Sequence, residues 1–299
     1  MGSERRKSRW GRAAASAVLA VGLVGGVQVA TAAPAGAAIG GIQVIAGPVS
    51  PTDSQPVKSA SAVCPAGTQI ISGGGWVIVN SRGPDADSVV LSQLAPVHST
   101  SGGLDSFAVL GQEMAPGTAS TWHVQAFAVC GQVPGLHVVA GHSGLGSQPE
   151  QKAVAQCAST ERVLGVGGQI LNQTGRVTLT SVAPSTVNSA QAVADEDPAG
   201  LNVNWQVDSF AVCAPAPAGY QIVAKPSSAT ANSDPEQVAL VNCPVGTRAL
   251  GVGATELSPR PGTGIQVVFP GSPLEVVAVE STPTSALWGP TLAQGICAA

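Results

Sequence analysis

Positive charge is scarce in this sequence of 299 residues, and much of it lies at the start. Only 13 residues are Lys or Arg, and five of these fall within the first twelve positions. The rest of the chain has 8 basic and 16 acidic residues, a net charge of about −8. Because nucleic-acid binding requires cations that neutralise phosphates, this balance argues against a nucleic-acid partner. It also argues against binding to anionic membrane surfaces.

Aromatic and charged residues are few as well, at 3% and 10% of the chain, whereas Gly (37) and Pro (23) are plentiful. Long helices are not expected, since Gly and Pro interrupt them at short intervals. Disorder is not expected either, because Val, Ile, Leu and Ala supply enough apolar surface for a core. The composition therefore predicts a folded protein made of many short strands.

The first 37 residues resemble an export signal. A basic segment at 5–12 precedes an apolar segment at 13–30, and Ala35-Gly-Ala37 provides the small residues of a cleavage site. We predict cleavage after Ala37 and secretion of residues 38–299, with Ala30-Thr-Ala32 as the alternative cleavage site. No later segment is long and apolar enough to span a bilayer.

A nine-residue stretch recurs along the remaining chain. Trp122-His-Val-Gln-Ala-Phe-Ala-Val-Cys130 returns as Trp205-Gln-Val-Asp-Ser-Phe-Ala-Val-Cys213, and a diverged copy runs from Trp288 to Cys297. The other Cys residues also recur, and a Gly follows each of them ten residues later, at Gly74, Gly167 and Gly253. A Gly inside a strand predicts a bulge or a close backbone approach at these points.

These recurrences divide the chain into a signal peptide and three predicted repeats, at 1–37, 38–134, 135–218 and 219–299. Each repeat shows about six short segments of alternating apolar and polar residues, which is typical of half-buried strands. The fold class we predict is all-β, with three tandem antiparallel β-sandwich-like modules. The alternative is a single three-sided β-prism with pseudo-threefold symmetry and one sheet per repeat.

Six Cys residues in an exported chain predict three disulfides. Two pairings respect the threefold pattern, one within repeats and one between them. We expect the first, since it lets each repeat stand alone, and the chain-entropy model gives each bond ~4 kcal/mol of stabilisation. The expected pairs are Cys64–Cys130, Cys157–Cys213 and Cys243–Cys297.

The run Cys64-Pro-Ala-Gly-Thr68, followed by Gly73-Gly-Gly75 and then by Trp122 to Cys130, resembles a class of secreted bacterial modules common in actinobacteria. Cys243-Pro-Val-Gly-Thr247 keeps the opening motif, and Cys157-Ala-Ser-Thr-Glu161 departs from it. The resemblance covers the three repeats and implies export and a β fold, but these modules have no assigned activity. A more distant likeness to vitelline-membrane outer-layer proteins implies the prism alternative.

Three acids recur at the same place in each repeat and are the candidate ligand-binding residues. Glu113, Glu196 and Glu280 each precede the second Cys of their repeat by 17 residues. Such carboxylates could accept hydrogen bonds from glycan hydroxyl groups, although an exposed Glu more often only contacts solvent or an Arg.

Tryptophan could likewise bind a sugar or fill a core. The Trp that recurs beside each disulfide is expected in the core, because it adds much apolar area to a small module. Trp76 occurs in the first repeat alone, on a Gly-rich strand, and is the Trp we expect to be exposed.

No motif predicts catalysis. Gly141-His-Ser-Gly144 is superficially similar to a serine-protease turn, but the matching loops of the other repeats contain no His. The four His lack metal-ligand spacing, and Asp195-Glu-Asp197 is too short for a calcium loop. We expect no metal and no cofactor.

The function we predict is that of a secreted, non-enzymatic binding or cell-envelope protein, with a multivalent mode of binding to a cell-wall polysaccharide. The alternatives are a secreted hydrolase with its site between repeats, and protein–protein adhesion through strand edges.

Overall fold

A computed structural model describes residues 39–80, 88–99, 102–172, 175–280 and 285–299 of the chain. The described residues contain 18 strands, all paired antiparallel, and no helix. The predicted all-β class is therefore confirmed. The predicted leader lies outside the described residues.

Six strands fall within each predicted repeat. The first repeat contains β1 (Gly40–Val49), β2 (Val57–Val63), β3 (Gln69–Val79), β4 (Val89–Val97), β5 (Ser106–Glu113) and β6 (Trp122–Gln132). The second contains β7 (His137–His142), β8 (Glu150–Gln156), β9 (Glu161–Leu171), β10 (Val177–Thr186), β11 (Ser189–Glu196) and β12 (Gln206–Pro215). The third contains β13 (Gln221–Pro226), β14 (Glu236–Val241), β15 (Arg248–Glu256), β16 (Thr263–Phe269), β17 (Leu274–Glu280) and β18 (Thr291–Ala298).

The strands form three six-stranded sheets, and each sheet takes three strands from each of two repeats. Sheet I has the order β1-β6-β3-β16-β17-β14, sheet II has β13-β18-β15-β10-β11-β8, and sheet III has β2-β5-β4-β9-β12-β7. Every repeat thus contributes one half to each of two sheets, and its two halves contact each other. This arrangement is sandwich-like within a repeat and three-sided as a whole, so it is consistent with both architectures that the sequence predicts.

The two halves of a sheet join at a short seam between repeats. At each seam only two residue pairs are in register, for example Val267 with Trp76 and Val268 with Gly75 in sheet I. The corresponding seams are β10 with β15 in sheet II and β4 with β9 in sheet III. Residues Gly36–Ala299 form one compact unit, which the seams help to join.

The recurring glycines lie at these seams. A Cβ built on Gly74 would be 1.9 Å from the Val268 carbonyl oxygen, and one on Gly167 would be 2.4 Å from the Leu94 carbonyl oxygen. A Cβ on Gly253 would be 2.8 Å from Ala183 Cα. The sequence-based prediction of a close backbone approach is confirmed, and the approach is to a strand of the adjoining repeat.

All three disulfides pair within repeats, as expected. Cys64–Cys130, Cys157–Cys213 and Cys243–Cys297 each join the segment after the second strand of a repeat to its last strand, with Cα–Cα distances of 5.6, 5.6 and 5.8 Å. The Trp at or just before each last strand is fully buried, which confirms its expected place in the core. The buried Trp residues are Trp122, Trp205 and Trp288.

Candidate functional site

The outer faces of the three sheets differ in chemistry, although their strands pair in the same way. One row of six residues in register crosses the middle of each sheet. The row of sheet I is apolar apart from one Gln and consists of Val238, Val277, Val267, Trp76, Gln125 and Val49. The matching row of sheet II is mixed and consists of Lys152, Val193, Ser181, Thr255, Leu292 and Pro226. That of sheet III is mainly polar and consists of Ser59, Leu110, Gln93, Gln169, Asp208 and His142.

Trp76 lies at the centre of the apolar row of sheet I. Its neighbours along β3 face the main core, since Val77 belongs to that core and a Cβ on Gly75 would touch Val109 and Leu91. Successive side chains of a strand point to opposite faces, so Trp76 points away from the main core. Its side chain is half-buried, so Trp76 is less exposed than the sequence predicts.

Two phenylalanines complete an aromatic cluster around Trp76. The ring centroid of Phe269 is 5.6 Å from that of Trp76 and 4.9 Å from that of Phe127. Trp76 and Phe269 pack on a small apolar cluster, separate from the main core, that contains Val267 and Val277. We call Trp76, Phe127 and Phe269 the aromatic cluster; Trp76 and Phe269 are half-buried, whereas Phe127 is only 7% exposed and packs against Phe269.

Two of the candidate glutamates, Glu113 and Glu196, accept hydrogen bonds from the indole N–H groups of buried Trp residues. Trp122 Nε1 donates to Glu113 Oε1 at 3.0 Å, and Trp205 Nε1 donates to Glu196 Oε1 at 2.8 Å. The second oxygen of Glu196 accepts a hydrogen bond from the backbone N–H of Leu201. Both oxygens of these carboxylates are therefore used within the chain, and the structure does not bring the glutamates together at one surface.

Glu280 differs from the other two glutamates. It is 3% exposed and forms an ion pair with Arg260, at 2.5 Å between Oε1 and Nη1. Trp288 Nε1 donates instead to the backbone oxygen of Asp234. The equal spacing of the three glutamates in the sequence thus conceals two different roles.

Removing the Glu196 carboxylate tests this structural role. In Glu196→Ala the indole N–H of Trp205 is left buried without an acceptor, so we expect the free energy of unfolding to fall by about 1–3 kcal/mol. Glu196→Gln keeps one of the two acceptor oxygens and should lose less stability than Glu196→Ala. Denaturant unfolding of both variants measures the difference. Unchanged stability in Glu196→Ala, together with lost ligand retention, would restore the ligand-binding interpretation.

Sequence reasoning missed a buried polar side chain that recurs near the start of the second strand of each repeat. Gln151 Nε2 donates to the backbone oxygen of Trp205, and Gln237 Nε2 donates to that of Trp288. In the first repeat the same position is Lys58, whose ammonium group donates to the Trp122 oxygen and forms an ion pair with Asp53. These three residues share one feature that the sequence could have revealed: each is polar but occupies a strand position whose side chain points into the protein.

The third repeat has polar side chains where the first two have apolar ones. Glu256 pairs in register with Thr291, and the corresponding pairs are Val77 with Val124 and Ile170 with Val207. Glu256 Oε1 and Thr291 Oγ1 are buried and have no hydrogen-bond partner among the described residues.

The ionisation of Glu256 follows from these surroundings. Complete burial raises the pKa of Glu256 to about 8, against the opposing effect of a hydrogen bond from the Thr263 hydroxyl group, and the charge of Asp195 adds to the rise. Burial also raises the pKa of Asp195, which lines a pocket of about 380 Å³ with Glu150 and Pro261.

The residues that could hold a metal do not form a complete site in the described part of the chain. Ligand atoms of His137, Glu161 and Cys213 lie within 4.8 Å of one another. Cys213 is bonded to Cys157, however, so only two ligands remain, fewer than the three or four protein ligands of a zinc site.

The serine-protease-like turn also has a different role. Ser143 Oγ donates to Gln151 Oε1 at 2.6 Å and accepts from the Val207 N–H at 3.0 Å, so this hydroxyl group holds the strand ends together. The neighbouring His142 pairs with Asp208 on the outer face of sheet III.

Comparison with protein-family models and with curated proteins found no match to this chain. Among the described residues, no helix is long and apolar enough to cross a membrane. Three disulfides are compatible with an extracellular location.

Proposed function

We propose that this chain is a secreted, non-enzymatic protein that binds a polysaccharide of the cell envelope through the outer face of sheet I. The observation that carries the proposal is the aromatic cluster of Trp76, Phe127 and Phe269. Sugar-binding surfaces need aromatic rings on which the apolar face of a pyranose can rest, with polar groups at the side. Gln125, which pairs with Trp76 on the adjacent strand, supplies an amide there.

The rigidity of the surroundings supports the same proposal. Trp76 lies on an 11-residue strand that is paired on one side with β6 and on the other with β16. A surface held in this way loses little conformational entropy on binding, which favours affinity. The export signal predicted at residues 1–37 and the three disulfides fit a protein that acts outside the cell.

The mode of binding we propose has one principal surface. Only sheet I carries the aromatic cluster, since sheets II and III have Thr255 and Gln169 at the position of Trp76. Avidity on a polymer would then come from many protein molecules on one chain, not from three equivalent sites on one molecule.

A pull-down on insoluble polymers tests the proposal. The oxidised chain, residues 38–299, is mixed with chitin, cellulose, peptidoglycan and whole cell walls. We expect retention on one of these polymers, and at least tenfold weaker retention for Trp76→Ala and Phe269→Ala, because each removes a ring of the aromatic cluster.

Phe210→Ala is the matched control. Phe210 is the residue of β12 that corresponds to Phe127 in β6, and its ring contacts no other described aromatic ring. We expect Phe210→Ala to be retained as strongly as the unmodified chain. The unfolding midpoint of each variant shows whether it is folded. Retention on none of the polymers, or equal retention of all four proteins, would overturn the proposal.

A further inference from the structure

The outer face of sheet III contains a buried carboxylate surrounded by side-chain donors. Asp208 lies between Val207 and Ser209, both fully buried, and therefore points to the opposite, outer face. It is nevertheless only 4% exposed, because three neighbouring side chains cover it. Asp208 accepts hydrogen bonds from His142 Nδ1 at 2.7 Å, Gln169 Nε2 at 2.9 Å and Gln206 Nε2 at 2.6 Å.

The carboxylate remains ionised. Burial alone would raise the pKa of Asp208, but the hydrogen bonds from His142, Gln169 and Gln206 outweigh it and lower the pKa below its ordinary value. A negative charge is therefore held just beneath the surface, where the low dielectric constant of the protein screens it less than water would.

The position of this carboxylate determines which atoms of its neighbours face the solvent. An ionised carboxylate can only accept hydrogen bonds, so the two Gln side chains must turn their NH₂ groups towards Asp208. The Oε1 atoms of Gln169 and Gln206 are then directed away from it as acceptors. His142 donates through Nδ1 to Asp208, and its side chain is 60% exposed.

The arrangement is specific to sheet III. The residues that match Asp208 in the other rows are Gln125 in sheet I and Leu292 in sheet II. Beyond Gln169 the row continues to Gln93, which lines a cleft of about 500 Å³ together with Ser59 and Ser61. The face thus combines amide acceptors, a buried negative charge and a mainly apolar cleft whose polar groups include Ser59, Ser61 and Gln93.

From this geometry we infer that the outer face of sheet III binds a primary ammonium group carried by an amino sugar, between His142, Gln169 and Gln206. An ammonium group has three donors and no acceptor, so it suits the amide oxygens of Gln169 and Gln206 beside a buried anion. The net charge of about −8 on residues 38–299 attracts such a cation over longer distances. The sugar hydroxyl groups would reach Gln93 and the cleft. The choice of a sugar as carrier rests on the proposed function, whereas the ammonium site does not involve sheet I.

Calorimetric titration of the oxidised chain at pH 8 with short glucosamine oligomers tests the inference. We expect saturable binding that weakens with added salt, and no binding at this face for N-acetylglucosamine oligomers of equal length, because acetylation removes the charge. Asp208→Asn should weaken binding of the glucosamine oligomer at least tenfold, since it removes the anion. Asp197→Asn, which removes a carboxylate that pairs with Arg176 beyond the end of β11 in sheet II, should leave it unchanged.

If Asp208→Asn does not fold, chemical-shift mapping on the unmodified chain tests the inference instead. Amide shifts that move at β7, β9 and β12 on addition of the glucosamine oligomer support the site. Shifts confined to other strands, or equal binding by Asp208→Asn, would overturn the inference. Equal affinity for a trilysine peptide would overturn the assignment to an amino sugar. The pull-down with Trp76→Ala tests the polysaccharide surface, and the shifts at β7, β9 and β12 test this site, so failure of one proposal is distinguishable from failure of the other.

Discussion

The Glu256→Gln variant is expected to lose most of the pH dependence of stability of this protein between pH 4.5 and 8. In the folded chain burial raises the pKa of Glu256 to about 8, from an ordinary value of 4.5. Over this interval the folded state keeps a proton that the unfolded chain has released. The free energy of unfolding therefore falls as pH rises, by about 1.4 kcal/mol per pH unit, and levels off above the folded pKa.

Urea unfolding at half-unit steps from pH 4 to 9 measures this slope. The unmodified chain should be most stable near the acidic end, and Glu256→Gln should show a flatter profile and higher relative stability at pH 9. Glu236→Gln is the control, since Glu236 is exposed on β14. If Glu256→Gln and the unmodified chain have parallel profiles, the Glu256 carboxyl group is not the source of the pH dependence.

The second large effect is expected for Gly74→Ala, at the seam of sheet I. The added methyl group would lie 1.9 Å from the Val268 carbonyl oxygen and 3.1 Å from Pro270 Cδ. Backbone atoms must then move apart, and we expect a loss of at least ~3 kcal/mol in the free energy of unfolding, the upper end for overpacking.

Gly40→Ala provides the comparison for Gly74→Ala. Gly40 is also in a strand of sheet I, but its nearest contact to an added Cβ is an ordinary 3.6 Å, to the Gln132 side chain. The free energy of unfolding of Gly40→Ala should differ from that of the unmodified chain by less than about 0.5 kcal/mol. Denaturant midpoints of the two variants, measured side by side, give the result. Similar midpoints would mean that the strands at the seam can move apart without a loss of stability.

Short-range patterns in the sequence predicted the local features of this fold. Alternating residues such as those of Val177–Thr186 predicted strands, because one face of each strand must be apolar. The internal recurrence reduced the symmetric disulfide pairings to two, and the expected pairing within repeats is the one observed. It also predicted the buried Trp at or just before each last strand. The close approach at Gly74 was predicted as well, since a Gly in a strand interior commonly marks a neighbouring backbone.

Longer-range features could not be predicted in the same way. The partner of β3 across the seam is β16, about 190 residues later, and no local pattern specifies this pairing. The aromatic cluster could not be predicted for the same reason, because Phe127 and Phe269 lie on strands that are far apart in the sequence. Sequence reasoning named Trp76 alone. The glutamates were misleading for a related reason: spacing shows that Glu113 and Glu196 are equivalent, but not that their acceptor atoms face an indole.

The seam between β3 and β16 also bears on the order in which the chain can fold. Sheet I is complete only when strands of the last repeat meet strands of the first, so an incomplete chain that ends before residue 219 exposes the edge of β3. Unpaired edges are templates for pairing with other chains, and contacts so far apart in sequence form slowly. A truncated chain should therefore associate with itself, because it lacks the strand of the last repeat that pairs with the edge of β3.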